Sequence, residues 1–180
     1  MKLYNHITFY VIVMFFCFAQ KSFSQNFRDI SFELQAYPTG IIPGFSIDYK
    51  IGDRSWLYGR IAYNWIRHRD LGEHEDERGY GFGLSIGYKY NLSADDIGWR
   101  IGIKSDVWRN IIDWTEGSDS GSSDITVIQP TIELSYIILK NELIVIPSLA
   151  AGFEVNVRTV GEKTGQGAIL LIGLQLGKRL

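Results

Sequence analysis

The chain has 180 residues, enough for one domain of ordinary size, and with 46% hydrophobic and 21% charged residues its composition excludes a disordered chain. A net charge of −2 excludes the basic profile of a nucleic-acid binder. Nineteen glycines with 14% aromatic residues favour a β architecture rich in turns and bulges.

Residues 1–25 differ from the rest. Lys2 gives a positive start, Ile7 to Ala19 is almost unbroken apolar sequence, and Ser22, Ser24 and Gln25 offer a cleavage region. The apolar stretch is short for a membrane helix, which needs about 20 residues, so the pattern predicts a cleavable signal peptide over 1–25. Cys17 lies inside it behind bulky Met14, Phe15 and Phe16, which argues against a lipoprotein site. The expected mature domain, 26–180, then has no disulfide to hold it. Removing Lys2 and Lys21 and no acid leaves 16 basic against 20 acidic residues, a charge of −4.

From Ile30 the dominant periodicity is two, the signature of strands. The first strand sets Ile30, Phe32, Leu34 and Ala36 against Ser31, Glu33 and Gln35, and the second sets Phe45, Ile47, Tyr49 and Ile51 against Ser46, Asp48 and Lys50. The third sets Leu57, Ile61, Tyr63 and Trp65 against Arg60, Ala62 and Asn64. The fourth is clearest, with Tyr80, Phe82, Leu84, Ile86, Tyr88, Tyr90 and Leu92 on one face and Gly81, Gly83, Ser85, Gly87, Lys89 and Asn91 on the other. The fifth opposes Trp99, Ile101, Ile103 and Val107 to Arg100, Gly102, Lys104 and Asp106. Three more, through Ile128–Ile138, Leu143–Val155 and Leu170–Leu176, repeat the pattern around Glu133, Glu154 and Gln175. Gly52–Ser55, Ser93–Ile97 and Lys140–Glu142 read as short turns, Pro38–Gly44 as intermediate, and 68–78, 110–124 and 159–166 as longer polar loops. That alternation predicts an all-β, eight-stranded antiparallel up-and-down transmembrane barrel with both termini periplasmic.

Periodicity does not say which face is outside, and a soluble lipocalin-like ligand-binding barrel has the inverse arrangement. Volume favours the membrane form. Eight strands enclose little more than one layer of side chains, and a Phe, Tyr, Trp, Leu and Ile face would overfill it, whereas the Gly, Ser and Ala face fits. Trp65 and Tyr80 near the long-loop ends, with Trp99, Tyr90 and Tyr136 near the short turns, match two interfacial girdles.

On this pattern, residues 27–180 resemble the small outer-membrane β-barrels of the OmpA/OmpX type, and the last strand, Gly173–Leu180, partly resembles their C-terminal assembly signal while ending in Leu180 rather than Phe. The resemblance implies an integral bacterial outer-membrane protein whose partners are outer-membrane lipid, lipopolysaccharide and the assembly machinery, with no cofactor.

The inward face carries Glu33, Asp48, Asp106, Glu133 and Glu154 with Lys50, Arg60, Lys89, Arg100, Lys104, Arg158 and Arg179. Charges in so narrow a space must be paired or hydrated, so the expectation is a structural salt-bridge plug, with a narrow ion or small-solute channel as the alternative. His68 and His74 fall in one polar loop among Asp and Glu residues, without a recognised metal-ligand spacing. No nucleophile elbow accompanies them, so no catalytic set is expected and the chain reads as non-enzymatic.

Overall fold

The computed structural model describes residues 27–69 and 71–180; the expected signal peptide lies outside the described residues. Eight strands follow in order: β1 (Phe27–Tyr37), β2 (Gly40–Lys50), β3 (Ser55–Arg69), β4 (Asp76–Asn91), β5 (Gly98–Glu116), β6 (Asp119–Lys140), β7 (Leu143–Val160) and β8 (Gly167–Arg179). Each pairs antiparallel with its sequence neighbour, and β1 pairs with β8 to close the barrel. Closure satisfies every strand edge, which is the condition for β structure to cross lipid.

The apolar face points outward. Phe82 (72% exposed), Ile132 (70%) and Leu84 (64%) stand on the outside, while Ser31, Glu33, Gln35, Asp48 and Arg60 are buried. So large an apolar surface belongs in lipid, and the soluble-barrel arrangement is excluded. Trp65 lies opposite Tyr80 on the loop side, and Trp99 packs edge-on against Tyr136 at 5.1 Å toward the other end.

The connections depart from expectation. The segment 110–124 is no loop: Asn110 pairs with Ile125 and the ladder continues to Glu116 opposite Asp119, closed by Gly117 and Ser118. Gly117 has φ 57°, a left-handed conformation that suits glycine. Polar composition here marks strand standing in water beyond the lipid band. Likewise Gly40–Gly44 belongs to β2, and His68 to β3. The longer connections on this side are 70–75 and 161–166, but 92–97 on the opposite side is as long. The loop-side end is distinguished by overshooting strands rather than by loop length.

Candidate functional site: the barrel interior

The inward side chains lie in layers along the bore. The central layer is ionic, built from inward positions spaced by two on β1 to β6. Arg60 on β3 is its hub. Its guanidinium donates to Glu33 Oε1 (3.2 Å), Gln35 Oε1 (2.7 Å), Asp106 Oδ1 (2.8 Å) and Ser85 Oγ (3.0 Å). Ser85 in turn donates to Asp106. Glu33 also accepts from Tyr58 Oη (2.6 Å) and Gln175 Nε2 (2.9 Å). Carboxylates buried this deeply need such converging donors, because burying a charge without partners is costly.

A looser group adjoins it. Asp48 lies 3.3 Å from Lys89 and 3.4 Å from Arg100, and Arg100 donates to Asn91 at 2.9 Å. Glu133 faces Lys89 at 3.8 Å and Lys104 at 4.0 Å, beyond hydrogen-bond length. The Lys89 ammonium sits 3.9 Å from the centre of the Tyr58 ring, a cation–π contact that partly replaces its lost hydration. The layer is neutral: Arg60, Lys89, Arg100 and Lys104 stand against Glu33, Asp48, Asp106 and Glu133.

Toward the turn side, Arg179 grips Asp29 through two hydrogen bonds of 2.8 and 2.9 Å, and Lys50 pairs with Asp96. Trp56, fully buried, lies within cation–π range of Arg100, Arg179 and Lys50. Toward the loop side the bore turns apolar. Ile42, Ile66, Trp108, Ile112, Ile125, Val127 and Leu171 form one buried cluster. The volume reasoning from sequence treated this face as small and polar; it holds bulky rings and isoleucines as well.

Glycine makes that possible. A Cβ on Gly83 would fall 2.2 Å from the Trp108 ring, and one on Gly81 would meet Asn110. The bare β4 wall therefore receives the large β5 side chains opposite it, and Trp108 anchors its indole N–H on Gln129 at 3.1 Å. At Gly81 and Gly83 the space a side chain would occupy is taken by Asn110 and Trp108.

Two residues expected in the interior network sit elsewhere. Arg158 is exposed on the outer wall. The β6–β7 register shifts between Thr126 and Val127, so Asn156 pairs with Val127 while Arg158 pairs with Thr126. This β-bulge at Val157 breaks the alternation that would have turned Arg158 inward. Glu154 is half-buried at the loop-side mouth beside Tyr37 and His68, and among the described residues it forms no ion pair. Reading by strand parity missed Asp29, Tyr58, Gln35 and Gln129 as network members, although each shares the inward parity of its strand and was findable that way.

Above the girdle, outside the lipid band, the loops are tied to Glu77. Its carboxylate meets His68 Nδ1 at 3.0 Å and His74 Nδ1 at 3.1 Å and accepts backbone N–H groups from Glu73 (2.9 Å) and Gly165 (3.3 Å). Burial would raise the Glu77 pKa, but the two imidazoles and the backbone donors outweigh it and hold it at about 2. His74 also stacks on Trp114 of β5 at 4.3 Å. One carboxylate thus clamps loop 70–75 to loop 161–166. His68, expected in a loop, is an inward residue of β3. Both histidines spend Nδ1 on this clamp, and among the described residues no cluster of three or more His, Cys, Asp or Glu is placed to hold a metal.

No family model and no curated protein matches the sequence. Solved structures do match the fold. The N-terminal β-barrel domain of Pseudomonas aeruginosa OprF aligns with TM-score 0.52 at 16% identity, over 85% of this chain and 98% of that one. Ail, the attachment invasion locus protein of Yersinia pestis, aligns with TM-score 0.52 at 10% identity, over 86% and 97%. The fold is that of the eight-stranded outer-membrane barrels. Ail in complex with the heparin analogue sucrose octasulfate also aligns, with TM-score 0.50 at 11% identity over 86% and 97%.

Proposed function

We propose that the chain is a non-enzymatic integral outer-membrane β-barrel protein, structural or surface-interacting, whose bore is closed by its own side chains. The neutral four-on-four ionic layer carries this reading. With the apolar cluster above it and the Trp56 layer below, it fills the space that a solute would need. The outward apolar band fits outer-membrane lipid and lipopolysaccharide, and the barrel topology fits delivery by the outer-membrane assembly machinery. Ail binds a polysulfated ligand, but the loop-side rim here carries Glu73, Glu75, Asp76, Glu116 and Asp119, a poor match for a polyanion at the loops.

A narrow channel is the second reading, favoured by one observation. Lys89, Lys104 and Glu133 face one another too far apart for hydrogen bonds, so any ion path would pass there.

The membrane assignment has a direct check. The protein should fractionate with outer membranes and stay there through high-salt washing, because its attachment is apolar rather than ionic. Recovery from the soluble periplasmic fraction would overturn it.

A further inference from the structure

The β7 bulge places a second arginine on the lipid-facing wall beside a first. Tyr63, Phe82, Arg109, Thr126 and Arg158 form one row of paired residues across β3 to β7. Arg109 and Arg158 flank Thr126 two strands apart, roughly 10 Å between backbones, close enough for both guanidiniums to converge on one anion over the Thr126 side chain. Asp124 is the acid at this spot. It accepts two hydrogen bonds from Arg109, at 2.8 and 3.4 Å, and leaves the pair with one excess positive charge.

Height on the barrel names the environment. Arg109 lies ten residues up β5 from Trp99 of the turn-side girdle. On a strand tilted about 40° that is a rise of roughly 26 Å, against an apolar band of about 25 Å. The arginines therefore sit where acyl chains give way to headgroups. Below them a continuous apolar groove runs past Val107, Phe82, Leu84, Ile61 and Phe45.

We propose that Arg109, Arg158 and Thr126 form a docking site for the phosphate of an outer-leaflet glycolipid, whose acyl chain lies along the Phe82–Phe45 groove. Charge complementarity argues for it, since guanidinium pairs suit phosphate through paired N–H donors. So does the bulge, which spends a ladder irregularity on turning Arg158 outward. The inference rests on the integral-membrane reading and names a lipid that this wall selects.

Native mass spectrometry of the purified protein in detergent micelles tests it, with bisphosphorylated lipid A and the same lipid stripped of phosphate as probes. Wild type should retain the phosphorylated form preferentially. Arg109→Gln and Arg158→Gln should each weaken retention roughly tenfold, as loss of a charge-assisted contact does, and leave the stripped lipid unaffected. Asp124→Asn should strengthen retention by removing the competing acid, a gain that damage to the fold cannot produce. Equal binding of both lipids, or indifference to both arginine substitutions, overturns the site while leaving the membrane reading intact. Inorganic phosphate bound as tightly as the lipid overturns the glycolipid assignment. Solubility without detergent overturns the membrane reading itself, and the site with it.

Discussion

Arg60→Met should cost about 3–5 kcal/mol of unfolding free energy, the usual penalty for removing one partner of a buried ionic group. Methionine fills similar volume but supplies no donor, so Asp106 loses its 2.8 Å partner and Glu33 keeps only Tyr58 and Gln175. The four buried carboxylates of the layer would then share three cations, leaving one excess negative charge. The penalty should be partly recovered by Asp106→Asn in the Arg60→Met background, because that change removes the stranded charge. Reversible unfolding by denaturant from lipid vesicles measures both. A loss under about 1 kcal/mol, typical of an exposed pair, would mean that the ionic layer is hydrated and loose.

Leu84→Arg should cost about 2–4 kcal/mol in the same measurement, the price of an arginine facing lipid at mid-membrane. Leu84 stands near the middle of β4 and is 64% exposed on the apolar wall. Leu71→Arg is the control. Leu71 is exposed to a similar degree, at 65%, but belongs to the loop 70–75 outside the lipid band, so its arginine meets water. Equal small penalties at the two sites would show that the outer wall does not face lipid. Ser85 offers no neutral comparison despite its inward polar position, because its hydroxyl joins Arg60 to Asp106.

Strand parity was legible because lipid and bore impose opposite demands on successive residues. Tyr80 to Asn91 alternate apolar and small or polar without a break, and β4 follows them residue for residue. Loop boundaries were less legible. Residues 110–124 carry Asp, Ser and Gly because that hairpin leaves the membrane, and above the lipid a polar strand and a polar loop have the same composition. Arg158 was misplaced because a single extra residue, Val157, reverses the parity of everything beyond it, and no local composition marks the bulge. The apolar half of the bore was hidden for another reason. Trp108 and Ile112 match a bare β4 wall at Gly83 and Gly79, a pairing between strands that neither strand announces alone. The Glu77 clamp joins residues 88 positions apart, Glu77 and Gly165, and only the closed barrel brings them together.

The proposed closure of the bore is tested most directly by conductance. Purified protein reconstituted into planar bilayers should pass no steady current, because the ionic layer around Arg60 and the apolar cluster around Trp108 block the axis in series. Reproducible single-channel steps whose ion selectivity changes in Glu133→Gln would contradict the account and establish a channel through the loose Lys89–Lys104–Glu133 group.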